Sequence, residues 1–168
     1  MRLIIVRHGE TEGNIKRIIQ GHMQEPLDEA GIQQAKRVAE RLKTEKIDAI
    51  YSSDLKRARM TAEEIIKHYP DVPVHFVKEL RERDYGTATG KTRDEVRSYR
   101  KKQNIKKHEY TPEGAESLLH MKNRLMGFLE ETRRKHKDQT VLFVTHGGVK
   151  RVMVGTLNGM PLEEAIYT

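Results

Sequence analysis

Near its start the chain reads Leu3-Ile4-Ile5-Val6-Arg7-His8-Gly9-Glu10-Thr11-Glu12. The apolar run of four is too short for a helix and rich in β-branched residues, so it reads as a buried strand. The strand stops at a cation, an imidazole and a glycine in succession. A histidine at a strand end, beside an arginine and a flexible backbone, is well placed to meet an anion. The bland reading is a basic strand end with no chemistry, and the rest of the chain decides between the two.

Working outward, the same grammar returns. Asp28 reads as a helix N-cap, and Ile32, Ala35, Val38, Ala39 and Leu42 recur at helical spacing to about Lys43. Ile47-Asp48-Ala49-Ile50-Tyr51 reads as a second strand. Ser52-Ser53-Asp54 follow as a cap for a helix that carries Leu55, Ala58, Ala62, Ile65 and Ile66 on one side. Tyr69-Pro70 ends that helix. A third strand is expected within 72–77, at Val74-His75-Phe76-Val77, then a charged segment through Glu79, Glu82 and Tyr85 to loop glycines Gly86 and Gly90. A basic helix is expected over about 92–103, broken by Pro112-Glu113-Gly114, and a long helix over 116–136. Val141-Leu142-Phe143-Val144 is the most apolar strand. Thr145-His146-Gly147-Gly148 follow, then a helix that Asn158-Gly159 stops. Strands alternating with helices imply an α/β three-layer sandwich, a mostly parallel central sheet with helices on both faces. The 168 residues suggest one domain, 1–168, with a short basic insertion at about 91–112.

Composition narrows the function. Apolar residues are 36% and charged residues 34%, the mix of a soluble protein with a charged surface rather than a disordered chain. Apolar runs reach only four or five residues, so no membrane partner is expected. Met1-Arg2 lead straight into the first strand, which leaves no room for a signal peptide. The absence of cysteine excludes disulfides, thiolate metal sites and cysteine nucleophiles. We read the compartment as cytoplasmic. A net charge of +7 admits nucleic acid, an anionic membrane or small phosphorylated ligands. Nucleic acid is not expected, because aromatics are 5% and there is no tryptophan to stack on bases. Abundant Lys, Arg and Glu would suit a thermophile.

Three junctions carry the chemistry: Arg7-His8-Gly9, Ser52-Ser53 with Arg57 one turn on, and Thr145-His146-Gly147-Gly148. In a parallel sheet all three lie on one edge, the edge where α/β folds bind ligands. Arg7, His8, Arg57 and His146 then meet in one crevice. Glycines let backbone N–H groups approach a ligand, and helix N-termini favour anions. Two arginines, two histidines and a helix N-terminus suit a phosphoryl group.

At these residues the chain resembles the histidine phosphatase superfamily, which includes cofactor-dependent phosphoglycerate mutases and many small-molecule phosphatases. The signature resembled is Arg7-His8-Gly9-Glu10-Thr11 with Asn14. Pro26-Leu27 with Gly31 and Ala35 is similar to the family's first-helix pattern. Ser52-Ser53-Asp54-Leu55, Arg57-Ala58 and Thr61-Ala62 are similar to its second block. Leu80-Arg81-Glu82, Tyr85-Gly86 and Gly90 resemble its acid loop, and Thr145-His146-Gly147-Gly148 its second-histidine block. The resemblance implies that His8 attacks phosphorus, and that Arg7, Arg57 and His146 clamp the phosphoryl oxygens. Glu82 is implied to protonate the leaving oxygen and then activate water. Asn14 is implied at the rim, and Tyr85, Arg93 and Gly147 complete the expected substrate-binding set.

Alternatives remain at single residues. Glu82 also reads as a solvated charge among Arg81, Arg83 and Asp84, with Glu79 or Glu10 supplying the proton. Glu10 and Glu12 also read as helix-start charges. Arg93, Arg97, Arg100, Lys101 and Lys102 read equally as an anion site or a solvated helix face. His22, His68, His75, His108, His120 and His136 fall into no metal-ligand spacing. The pair His8 and His146 lacks a third ligand, so neither metal nor cofactor is expected. The chain departs from the family in three ways. Its insertion between Gly90 and Pro112 is shorter than a mutase's. Met60 stands where many members have glutamine. The chain ends at Thr168, whereas most members continue to further strands, so either a minimal version of the fold or a shortened chain is expected. The function expected is a metal-independent phosphatase acting on a small phosphomonoester through a phosphohistidine, as monomer or homodimer. The alternatives are a mutase dependent on 2,3-bisphosphoglycerate and a non-catalytic phospho-ligand binding module.

Overall fold

The computed structural model describes residues 1–167. Four strands, β1 (Arg2–Arg7), β2 (Ala49–Ser53), β3 (Val74–Val77) and β4 (Thr140–Thr145), form one sheet in the order β1-β4-β2-β3. Every pairing is parallel. The helices are α1 (Glu12–Ile15), α2 (Glu29–Leu42), α3 (Lys56–Ile66), α4 (Arg93–Lys102), α5 (Leu118–Lys135), α6 (Gly147–Leu157) and α7 (Leu162–Ala165). Among the described residues no helix is long and apolar enough to cross a membrane.

Strand alternation sends side chains to opposite faces, and each face finds its own helices. Ile50, Leu142 and Val144 pack against Ala39 and Leu42 of α2 and Ala58, Ala62 and Ile65 of α3. Ala49, Tyr51, Val141 and Phe143 pack against Leu125 and Leu129 of α5 and Val149, Val152 and Met153 of α6. Val141 through Val144 are wholly buried. That is why β4 reads as an unbroken apolar run: a strand with neighbours on both sides and helices on both faces has no wet side.

The first strand differs from its expectation. Residues 3–6 of β1 are only half-buried, because β1 lies at the sheet edge and pairs with β4 alone. The second strand is shifted too. Ser52 and Ser53 belong to β2 and are fully buried, and Leu55, without a side-chain cap bond, precedes α3. Asp54 does not cap the helix; its carboxylate takes a bidentate pair from Arg81 at 2.6 Å. Elsewhere side-chain chemistry sets the boundaries as read. Asp28 accepts from the Gly31 N–H at 2.7 Å to start α2. Thr92 and Glu95 form a reciprocal capping box for α4.

One contact fixes how the loop after β1 meets α2. A Cβ on Gly31 would stand 2.0 Å from the Glu10 carbonyl oxygen, and one on Gly9 would stand 2.4 Å from the Gly31 carbonyl oxygen. The two backbones therefore touch directly, and the side chain at position 8 is aimed by that contact. Gly31→Ala is expected to lower stability by about 2 kcal/mol or more, as overpacking against backbone does. Urea denaturation reads this directly; an unchanged midpoint would show that the loop and α2 separate freely.

Candidate active site

The strand order places β4 between β1 and β2, so the carboxyl ends of all three lie side by side. The His8 N–H continues the ladder onto the Thr145 carbonyl at 2.9 Å. The His146 ring meets the Ser53 hydroxyl at 2.8 Å. The ring centroids of His8 and His146 are 5.2 Å apart. Above this edge lies a cavity of about 360 Å³. Arg7, His8, Arg57 and Glu82 line it, together with Asn14, Tyr85, Arg93 and Gly147. His146 is the exception: it is fully buried and stands off the cavity lining, behind His8.

His8 is prepared in two ways. Its Nδ1 lies 2.6 Å from the Gly9 carbonyl, which can only accept, so Nδ1 carries the proton and Nε2 keeps its lone pair. Its pKa is lowered to about 3, first by burial and then by the charge of Arg57. The ring is therefore neutral at neutral pH and carries a free lone pair. The unfolded chain takes up this proton near the ordinary value of 6.5, whereas the native site refuses it until about 3. Stability contributed here is complete above the first value and is lost as pH falls through that window. His146 is likewise held well below its ordinary value, by burial and then by Arg57.

Arg57 is 1% exposed, and its terminal nitrogens donate to the Met23 and Gly21 carbonyls, both at 2.8 Å. Among the described residues its Nε and the Nδ1 of His146 are buried without a hydrogen-bond partner. Buried donors are normally satisfied, so such orphans mark a place built for something else.

Glu82 is fixed by backbone. Its carboxylate accepts from the Gly148 N–H at 3.0 Å, at the start of α6, and from the Arg83 N–H at 2.9 Å. It pairs with neither neighbouring arginine side chain. Arg81 is committed to Asp54, and Arg83 donates to the Glu116 and Tyr110 carbonyls at 2.7 Å. Glu79 and Glu10 stand off the cavity lining. Tyr85 is pushed up to about 12 by burial and then by Glu82, so its hydroxyl keeps its proton.

Several lining residues were not singled out in the sequence. Arg17 and Arg151 are the chief ones, with Lys107 and Tyr110 from the loop after α4. Arg151 carried a signal: a Lys150-Arg151 pair sits early in a helix, where cations are disfavoured. The α4 cluster divides. Arg93, Arg97 and Arg100 line the cavity, while Lys101 and Lys102 are exposed and do not. His22, which reads as ordinary in the sequence, donates from Nε2 to the Glu82 carbonyl at 2.9 Å and so anchors that backbone. Glu82 and Asp94 are the only carboxylates among the described lining residues, so the cavity is strongly positive. Among those residues no group of three or more His, Asp or Glu is placed to hold a metal ion.

A parallel sheet, a histidine at the end of its first strand and an arginine-rich cavity define a class. The sequence profile of the histidine phosphatase superfamily (branch 1) matches residues 3–167. Phosphoglycerate mutase-like protein 4 of Arabidopsis thaliana is 41% identical over 155 residues, covering 89% of this chain and 67% of that protein. The metal-independent phosphoserine phosphatase of the same plant is 40% identical over 157 residues, covering 90% and 66%. The chain thus spans about two thirds of the length of these relatives. The solved structure of Bacillus stearothermophilus YhfR superposes with a TM-score of 0.88 at 33% identity, over 97% of this chain and 82% of that one. The chain belongs to the histidine phosphatase superfamily, and by class it is a phosphatase.

The approach of Glu82 to α6 depends on a missing side chain. A Cβ on Gly148 would stand 2.2 Å from the Glu82 Oε1. The obstructing atom is the mobile end of a side chain, so Gly148→Ala is expected to fold normally and displace the carboxylate. If Glu82 is a general acid, as the resemblance implies, turnover of an alkyl phosphate should fall about 10²-fold. Steady-state kinetics beside a melting curve checks this; full activity would mean that the carboxylate needs no such contact.

Proposed function

We propose that the protein is a metal-independent phosphatase that hydrolyses a small phosphomonoester through a phosphohistidine on His8. The observation that carries this is the state of His8: neutral, protonated on Nδ1, with Nε2 free beside the guanidinium of Arg57. In the first step the Nε2 lone pair attacks phosphorus. The ester P–O bond breaks, and Glu82 in its protonated form gives its proton to the leaving oxygen. In the second step water attacks the phosphohistidine, Glu82 takes a proton from it, and the P–N bond electrons return to the ring. Phosphoryl transfer asks mainly for alignment and charge stabilisation. Arg7 and Arg57 supply the charge, and the orphaned Nε of Arg57 is a donor that a phosphoryl group would satisfy. The phosphoglycerate and phosphoserine in the relatives' names are small phosphomonoesters, which supports the substrate size. The same reading sets the reaction in the cytoplasm.

Replacing the acid separates the two steps. Glu82→Gln should lower kcat/KM on an alkyl phosphate by about 10²–10⁴-fold. It should spare nitrophenyl phosphate in part, because nitrophenolate leaves without a proton. A phosphohistidine on His8 should then accumulate, visible by mass spectrometry after a non-acidic quench, and His8→Ala should abolish both turnover and label. Equal, small slowing of both substrates with no phosphoenzyme would remove Glu82 from the mechanism.

A further inference from the structure

The chemistry just proposed needs two groups of opposite charge in one cavity, and needs them apart. Arg57 and Glu82 both line it. A guanidinium and a carboxylate free to meet there would close into an ion pair, cancelling charge that a phosphoryl group requires. They do not meet: neither side chain forms an ion pair among the described residues. Glu82 is still near enough to be the largest charge opposing the lowering that burial imposes on Arg57. The separation of the two is therefore held by their surroundings.

The segment Gly21-His22-Met23-Gln24, between α1 and α2, touches both. Gly21 has a φ of 47°, a left-handed turn that glycine adopts freely. The carbonyls on either side of His22, those of Gly21 and Met23, accept from the two terminal nitrogens of Arg57. Gln24 Oε1 accepts from the Lys56 N–H at 3.0 Å, which caps α3 where Leu55 offers no side-chain bond. Arg57 is thus held by its guanidinium and by the start of its helix.

The half-buried ring of His22 reaches the loop that carries Glu82. Its Nε2 bonds the Glu82 carbonyl, which can only accept, so this nitrogen carries a proton. Its Nδ1 lies 3.6 Å from Asp84 Oδ2, and Asp84 Oδ1 accepts from the Gly86 N–H at 2.9 Å. The carbonyl that His22 holds belongs to one planar peptide with the Arg83 N–H. That N–H donates to Glu82 Oε1. Fixing one end of the peptide fixes the direction of the other, and with it the carboxylate. His22 does not line the cavity, so any effect it has on the reaction passes through Glu82.

We propose, resting on the phosphatase reading above, that His22 is a positioning residue for the acid step. It orients the Glu82–Arg83 peptide, and so the Glu82 carboxylate, from the same segment that holds Arg57. The loop itself has other ties, because the Arg83 side chain bonds the Glu116 and Tyr110 carbonyls. Removing the His22 donor therefore frees one peptide and leaves the fold in place.

Two variants test this, with melting curves beside them. His22→Leu keeps bulk and loses the donor; His22→Gln presents an Nε2–H over the same number of bonds. In His22→Leu, kcat on propyl phosphate should fall about 10-fold with KM little changed, as misplacement of a catalytic group does. The fall should be several times smaller on nitrophenyl phosphate, whose leaving group needs no proton. His22→Gln should recover most of the loss. An equal fall on both substrates, no fall on either, or a Gln variant as slow as the Leu variant would overturn the assignment. The NMR resonance of the Gly148 amide, which donates to the carboxylate, reads the same positioning without turnover. It should move in His22→Leu most of the way to its place in Glu82→Ala and stay near the wild type in His22→Gln. A Gly148 amide indifferent to His22 would also overturn the assignment. Glu82→Gln keeps the two readings apart: equal slowing of both substrates there removes the acid from the mechanism, while the Gly148 resonance still decides whether His22 sets the carboxylate.

Discussion

His8 and Arg57 line one cavity yet expose little of their own surface, 8% and 1%. Both would shed a proton under such conditions, but they start from different places. A guanidinium keeps its charge through any shift a protein imposes, whereas an imidazole gives way. Burial and the nearby fixed charge therefore act in one direction, and His8 stays neutral. In the proposed mechanism the site works by that single imbalance: a free lone pair stands beside permanent positive charge, where a phosphoryl group needs both.

Everything around the pocket maintains it. The sheet order brings Arg7 and Thr145 level in adjacent strands. The Gly9 N–H donates to the Thr61 hydroxyl at 3.1 Å, and that hydroxyl donates to the Arg57 carbonyl at 2.8 Å, so loop and helix move together. The loop that carries Glu82 is tied down equally firmly. Arg124 forks onto Glu116 at 2.7 and 2.8 Å and also donates to the Glu79 carbonyl. Arg81 grips Asp54, and Arg83 straps the loop to residues 110–116. Charged groups near the site are thus spent on positioning backbone. This is how a carboxylate carried on a loop reaches the geometry expected of a residue on a rigid element.

The parts legible in the sequence follow from local rules. Apolar runs ending in polar junctions located β1, β2 and β4 and placed Arg7, His8 and Arg57 on one edge, because parallel strands leave no other arrangement. Caps at Asp28 and Thr92 and the helical spacing of α2 and α3 were equally local. What stayed hidden depends on contacts between distant segments. Ser53 reads as a helix cap until β4 brings His146 against it. His22 looks ordinary until it meets the Glu82 backbone. β1 reads as buried because its composition is that of a core strand, whereas its edge position is a property of strand order. Arg151 shared its helix with apolar residues that drew the reading to packing. The face shared by Arg93, Arg97 and Arg100 was visible, but whether it met water or the cavity was not.

The claim on which the account rests is the protonation state of His8. Nitrogen-15 NMR of histidine-labelled protein, with His8 assigned by comparison with His8→Ala, reads it directly. The account predicts a proton on Nδ1, none on Nε2, and no titration of this ring between pH ~5 and ~8. A His8 that titrates near the ordinary 6.5, as an exposed imidazole does, would contradict it.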